Sequence, residues 1–224
     1  MVLVVDAAID VTTDDGVTLV TMQAGENRFS LPFVTALERT LQAAGDTGQP
    51  LVLTGEGKFF SNGLDLDGMG SARPGEAGEM MATLHRVLAR LLAFPGATVA
   101  AVNGHAFGAG AILAAAADVR IMRQDRGYFC FPEVDLGLAM SEQFDAVLQA
   151  KYLRSSLLTA LLSGARLGAD EARVLGFVDG VASEESLVPD ALARARELAG
   201  KDGATVGAVK QSLYRSALAV LARG

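Results

Sequence analysis

The sequence predicts an α/β protein, a mostly parallel sheet with interleaved helices followed by a helical C-terminal part. Three observations carry this. Short, mostly apolar runs at 50–54, 98–102 and 119–122 alternate with stretches of helical periodicity, the pattern of βαβ units. Two β-branched runs, 8–13 and 17–22, flank Asp14-Asp15-Gly16 and read as a hairpin. From about Glu142 onward the pattern is almost entirely helical.

Taken in order, Ser30 caps a first helix with Pro32 in its opening turn, and Phe33, Leu37 and Leu41 recur at helical spacing. Residues 55–70 form a glycine-rich, irregular loop. A long helix over 76–94 turns Met80, Leu84, Val87, Leu88 and Leu91 inward and stops at Pro95-Gly96. Residues 103–107 turn the chain, and 108–117 make a helix of small residues. Further helices are predicted at 142–153, 155–162, 169–175, 187–199 and 205–221, with a short strand at 178–182.

A chain of 224 residues holds one sizeable domain, and a composition half apolar and 20% charged excludes a disordered protein. A net charge of −7 argues against nucleic acid as a partner, because nothing would neutralise a run of phosphates. Cys130 is the only cysteine, so an intrachain disulfide is excluded and a reducing compartment expected. The longest apolar stretch, 98–118, is broken by Asn103, Gly104, His105, Gly108 and Gly110, short of the roughly 18–20 residues a bilayer requires. The N-terminus shows neither a basic leader nor a cleavage signal. The expectation is a soluble, cytoplasmic protein without a membrane partner. No His, Cys and Asp grouping has metal-ligand spacing.

Gly104, Gly108 and Gly110 give G-x-x-x-G-x-G between an apolar strand and a helix, a spacing that dinucleotide-binding dehydrogenases share. The context opposes that reading. About a hundred residues precede the motif, and none of Tyr128, Tyr152 or Tyr214 has a lysine four residues on. Close helix packing is the simpler use of small residues at these positions.

Three segments occur in order: Gly57-Lys58-Phe59-Phe60-Ser61-Asn62-Gly63-Leu64-Asp65-Leu66, then Ala101-Val102-Asn103-Gly104-His105-Ala106-Phe107-Gly108-Ala109-Gly110, then Phe131-Pro132-Glu133-Val134-Asp135-Leu136-Gly137-Leu138. Together they resemble the crotonase superfamily of enoyl-CoA hydratases and isomerases, and the first and third resemble plant-type Δ3-Δ2-enoyl-CoA isomerases. The resemblance implies a crotonase-like ββα spiral core over residues 1–153 and a helical trimerisation region over 154–224. It implies a homotrimer or dimer of trimers. An acyl-CoA thioester is the implied substrate, with coenzyme A part of that substrate and no separate cofactor.

It also implies an oxyanion hole made by the backbone N–H groups of Leu64 and Ala109. Negative charge builds on a thioester oxygen when the α-proton leaves, and preorganised donors there are often the largest catalytic term. Backbone donors ask for space and an unusual chain path rather than particular side chains, and Gly63, Gly108 and Gly110 supply both. Ala109 opens a helix, where free N–H groups and the dipole favour an anion. Ser61, Asn62, Gly63, Leu64, Asp65 and Ala109 correspond to the substrate-binding stretch.

Hydratases of this family use two glutamates, one of them three positions beyond the second amide donor. Here that position is Ile112, which cannot move a proton; the second position is Glu133. Moving a double bond from C3–C4 to C2–C3 needs one acid-base group, which favours an isomerase with Glu133 as catalyst. A hydratase and a non-catalytic acyl-CoA-binding homologue are the alternatives. Leu66, Leu136 and Leu138 are expected to surround Glu133 and raise its pKa. Asp65 and Asn103 are read as loop braces and Lys58 as a solvated lysine. Asp135 is read as structural, with a supporting role held open. His85 is read as a packed helix residue, His105 as a neighbour of the site, Cys130 as a small buried hydrophobe, and Glu142 and Asp145 as the exposed start of a helix.

Overall fold

Apolar runs too short for helices become strands, and the computed structural model shows how they are stacked over the described residues, 7–224. The reading of the extreme N-terminus as leaderless falls outside that range. β1 (Ile9–Asp14) and β2 (Val17–Met22) pair antiparallel through Asp15 and Gly16, both at positive φ (45° and 76°). Those dihedrals match the twist of a two-residue hairpin turn. α1 (Leu31–Gly45) completes a ββα unit, with Pro32 in its first turn as predicted; Ser30 occupies the cap position but makes no side-chain capping bond.

The same unit then recurs. β3 (Leu51–Gly55) and β4 (Phe59–Ser61) precede α2 (Leu66–Ser71) and α3 (Glu76–Leu92). β5 (Thr98–Val102) and β6 (His105–Phe107) precede α4 (Ala109–Ala116). β7 (Val119–Arg123) and β8 (Phe129–Cys130) precede α5 (Glu142–Lys151). The remainder is α6 (Arg154–Ser163), α7 (Ala169–Val174), β9 (Gly180–Ala182), α8 (Leu187–Glu197), α9 (Gly203–Leu213) and α10 (Arg215–Leu221).

The first strands of the later units, β3, β5 and β7, join the β1-β2 hairpin and β9 in a six-stranded sheet, β1-β2-β3-β5-β7-β9, parallel except at the hairpin. Second strands build a separate parallel sheet, β4-β6-β8. Asn103 ties two corners of the spiral together. Its Oδ1 accepts from Gly55 N at 2.9 Å and its Nδ2 donates to Gly57 O at 3.2 Å.

The large sheet is buried on both faces, which explains why β3 and β5 read as continuous apolar runs. Leu37 and Leu41 of α1 and Leu84, Leu88 and Leu91 of α3 belong to the main core. α8 closes a second core with Leu187, Ala191 and Ala195 beside Val52, Val99 and Ala101. α4 is apolar all round and wholly buried, as its composition requires.

Four sequence expectations are corrected. The irregular loop of 55–70 contains β4 and the start of α2, the turn of 103–107 contains β6, and β8 has no counterpart in the prediction. Strands of two or three residues are too short to show a period, and they exist through pairing with one another. The predicted helix of 205–221 is broken at Tyr214 into α9 and α10.

The C-terminal helices are fixed by buried charge. Lys210 Nζ donates to Gly96 O at 2.6 Å and to Asp118 Oδ2 at 2.5 Å, and the same carboxylate accepts from Thr98 N and Oγ1. Burial pushes the Lys210 ammonium down and the Asp118 charge opposes that shift. Lys151, which donates to Ala117 O and Tyr214 Oη, is pushed down to about 8, chiefly by burial. Removing one partner leaves the other charge buried and uncompensated, a cost of about 3–5 kcal/mol. Asp118→Ala is therefore expected to lower unfolding free energy by about 3 kcal/mol in urea titration; a loss under about 1 kcal/mol would contradict this account.

Candidate active site

All three segments singled out in the sequence leave the small sheet at the same end. Leu64 lies three residues beyond β4, Ala109 two beyond β6, and Glu133 three beyond β8. These strands are parallel neighbours in that order, so their C-terminal ends deliver the three segments to one place. Ligands of parallel sheets characteristically sit outside such carboxyl ends.

Leu64 is held in a parallel bridge with Phe29. Phe29 N donates to Gly63 O at 2.7 Å, and Asp65 N donates to Phe29 O at 3.2 Å. The strand-like bonds on that side are made by the residues flanking Leu64, so its own N–H points the opposite way and has no acceptor among the described residues. Ala109 is the first residue of α4, whose opening N–H groups have no intrahelical partner. The preceding N–H, of Gly108, is used by Cys130 O at 2.9 Å, and Gly108 O accepts from Ile112 N. Among the described residues, neither the Leu64 N–H nor the Ala109 N–H has a hydrogen-bond acceptor.

Two glycines make their approach possible. Gly63 has φ +79°, and a β-carbon there would fall 2.7 Å from Phe107 O and 3.3 Å from Ala109 N. The Gly63–Leu64 peptide thus lies against the start of α4. Gly108 has φ +50° and ψ −121°, a path that an L side chain strains to follow. A β-carbon on it would stand 3.3 Å from Glu133 Oε1, which places the carboxylate beside the residue that precedes Ala109.

Glu133 sits in a tight double turn. Pro132 O accepts from Asp135 N and Leu136 N, and Glu133 O accepts from Leu136 N and Leu138 N. Its Oε2 is buried without a hydrogen-bond partner. Burial raises its pKa above the ordinary glutamate value, opposed by a bond from its own backbone. The direction is the one expected, but the cause differs. Leu66, Leu136 and Leu138 are 45%, 55% and 48% exposed and do not enclose the carboxyl. The turn instead sets it beside Gly108.

The other candidates are placed as follows. Ser61 is fully buried; its hydroxyl donates to Asn27 O at 2.7 Å and accepts from Gly63 N at 3.2 Å. Asn62 Nδ2 donates to Glu26 Oε2 at 2.8 Å. Asp65 caps α2 and accepts from Gly68 N, the brace expected of it. Ile112 is fully buried one turn beyond Ala109, so no second carboxylate stands there. Lys58 is exposed. Asp135 is exposed and lies against Gly164, at the end of α6.

His105 packs among Phe59, Phe107 and Tyr128, and its pKa is lowered by burial and then by nearby Arg166, Arg126 and Lys58. His85 is buried on α3, edge-on to Phe144. Cys130 is buried, its thiol donates to Gly164 O at 3.3 Å, and burial pushes its pKa up to about 11. Glu142 is exposed and Asp145 half-buried at the start of α5. Among the described residues, no group of His, Cys, Asp and Glu could hold a metal ion, and no helix is long and apolar enough to cross a membrane.

The sequence reading missed Glu26, Asn27 and Phe29. They precede α1, far from any motif, and an asparagine in a loop carries no signal of its long-range bonds.

Any side chain at position 63 meets both the strained φ and the carbonyl of Phe107. Gly63→Ala is expected to lower unfolding free energy by about 1–3 kcal/mol in urea titration, the scale of a strained backbone; an unchanged value would show that this close approach is not needed.

The chain is similar to known proteins over almost its whole length. The family described as enoyl-CoA hydratase/isomerase matches residues 12–224. A peroxisomal enoyl-CoA delta isomerase 2 from Arabidopsis thaliana is 37% identical over 210 residues, 88% of each chain. An enoyl-CoA hydratase from Mycobacterium ulcerans superposes with a TM-score of 0.89 at 27% identity, covering 97% of this chain and 96% of that one. The human mitochondrial delta3-delta2-enoyl-CoA isomerase superposes with a TM-score of 0.86 at 25% identity, covering 95% and 85%. With a fold that matches theirs, matches of this extent lead to one conclusion: this chain is a crotonase-fold enzyme of the enoyl-CoA hydratase/isomerase family.

Proposed function

We propose that the enzyme shifts the double bond of 3-enoyl-CoA thioesters to the 2,3 position, with Glu133 as its single acid-base group. The observation that carries this reading is the pairing of one desolvated carboxylate with a fully buried Ile112, where a second proton-handling group would be needed to add water. The thioester oxygen accepts from the N–H groups of Leu64 and Ala109. Glu133 carboxylate removes a proton from C2, and the electron pair passes to the oxygen as an enolate. The enolate collapses with its electrons displaced to C4, which takes the same proton back from the Glu133 carboxylic acid. No atom is gained or lost. Desolvation makes the carboxylate a stronger base, matched to this shuttle. The delta isomerases of Arabidopsis at 37%, 37% and 34% identity support the same assignment.

Asn62, Gly63 and the backbone of Ser61 and Asp65 line the path taken by the coenzyme A arm in this reading. The single cysteine favours a reducing compartment, and we assign the enzyme to the cytoplasm; two of the Arabidopsis relatives are named as peroxisomal. Assembly as a homotrimer or dimer of trimers is supported by apolar side chains left open on α6 and α7, where Leu162 is 72% and Val174 87% exposed.

Purified enzyme is expected to convert a 3-enoyl-CoA to its conjugated isomer, followed by the rise in enoyl thioester absorbance. Glu133→Gln should lower kcat by at least a hundredfold while the substrate still binds. Because the base must be ionised, kcat/KM of the wild type should fall on the acid side, with a midpoint above the roughly 4.3 of an unperturbed glutamate. Full activity in Glu133→Gln would end the assignment, and loss of absorbance from a 2-enoyl-CoA as the dominant reaction would make the enzyme a hydratase. Sedimentation equilibrium should return three or six times the 23.2 kDa chain mass; a monomer at micromolar concentration would refute the assembly.

A further inference from the structure

The first amide donor is shaped by a segment distant from it in sequence, 26–29, and the structure assigns Asn27 as the positioning residue of the oxyanion hole. Asn27 is fully buried and held at φ +49°, one of two described non-glycine residues at positive φ. Such strain in a buried residue persists only where its surroundings enforce it. Its carboxamide joins two strand ends. Oδ1 accepts from Ala24 N at 2.8 Å, while Nδ2 donates to Met22 O at 3.2 Å and Phe60 O at 3.1 Å. Its backbone oxygen accepts the Ser61 hydroxyl, which in turn accepts from Gly63 N.

The neighbours of Asn27 continue the same template. Glu26 O accepts from Asn62 N at 2.9 Å, Phe29 N donates to Gly63 O, and Phe29 O accepts from Asp65 N. Residues 60, 61, 62, 63 and 65 are thereby each bonded to segment 26–29. Leu64 alone in that run turns its N–H outward. The Asn27 carboxamide is the only side chain of the segment that reaches both β2 and β4, and it sets where the template stands relative to Phe60. Asn27 touches neither substrate nor reacting atoms in this arrangement; it acts through Ser61 and Gly63 on the direction of one N–H.

This inference rests on the proposed enolate chemistry, and two readouts separate it from that reading. Asn27→Gly removes the carboxamide while glycine adopts φ +49° without strain; Ser61→Ala removes the relay. Each is assayed with a 3-enoyl-CoA for kcat and KM. Each is also titrated with acetoacetyl-CoA, whose bound enolate has its own near-ultraviolet absorbance and reports oxyanion stabilisation without turnover. Asn27→Gly is expected to lower kcat by ten- to a hundredfold with KM changed less than about threefold, on the scale of a misdirected oxyanion donor. It should also shift the enolate midpoint of bound acetoacetyl-CoA upward by about one pH unit. Ser61→Ala should move both in the same direction by a smaller amount.

Folded variants that keep kcat and the enolate midpoint within twofold of wild type overturn the assignment, as does a loss confined to KM. If Asn27→Gly does not fold, Ser61→Ala decides alone on the same criteria. A wild type that forms the enolate yet isomerises no 3-enoyl-CoA sinks the proposed reaction and leaves the enolate midpoints to decide the positioning role. A wild type that does neither overturns both.

Discussion

Parallel pairing of β6 with β4 on one side and β8 on the other is the constraint from which the active site follows. Three short strands, none with enough residues to be stable alone, are aligned by backbone bonds such as Gly108 N to Cys130 O and His105 N to Lys58 O. Once they are parallel, the chain must leave each of them at one shared end. The loop after β4, a helix N-terminus and a carboxylate-bearing turn then meet without any side-chain contact being needed to bring them together. The larger sheet serves this arrangement by stacking the successive ββα units that the small sheet joins.

Electrostatics at that end are set by geometry more than by charge. Neither amide donor has a formal charge, and the nearest acid is held back from water by a turn rather than by a greasy pocket. One oxygen of the Glu133 carboxyl, Oε1, faces Gly108, and the other, Oε2, is buried without a partner. An unpartnered buried carboxylate is costly in the resting enzyme. In the proposed reaction, that cost makes the carboxylate a stronger base.

The C-terminal helices are tied to this core by ionic contacts as well as apolar ones. Lys210 and Lys151 reach from α9 and α5 to the carbonyls of Gly96 and Ala117 at the ends of core elements, where free backbone oxygens accept a cation well. α8 lies on the opposite side of the large sheet and completes the second apolar layer. The helical region therefore shares the core it follows, and β9 extends the same sheet by pairing with β7.

The sequence by itself determined the elements whose signal is local. Apolar runs at 98–102 and 119–122, the Asp15-Gly16 turn and the inward stripe of Met80, Leu84, Val87, Leu88 and Leu91 all stand where periodicity and turn chemistry place them. The residues proposed for the site, Glu133, Gly63, Leu64, Gly108 and Ala109, could be named from motif spacing, and the fold brings their segments to one end of the small sheet. Only the tertiary structure decided the rest. β4, β6 and β8 are too short to carry a period and come into being by pairing. Leu136 and Leu138 flank Glu133 in sequence yet face outward, since a tight turn reverses the chain there. The bonds from Asn27 to Met22 and Phe60 join residues that no pattern links. They arise because the spiral stacks one ββα corner on the next, and contact across stacked corners has no counterpart in the linear order of residues.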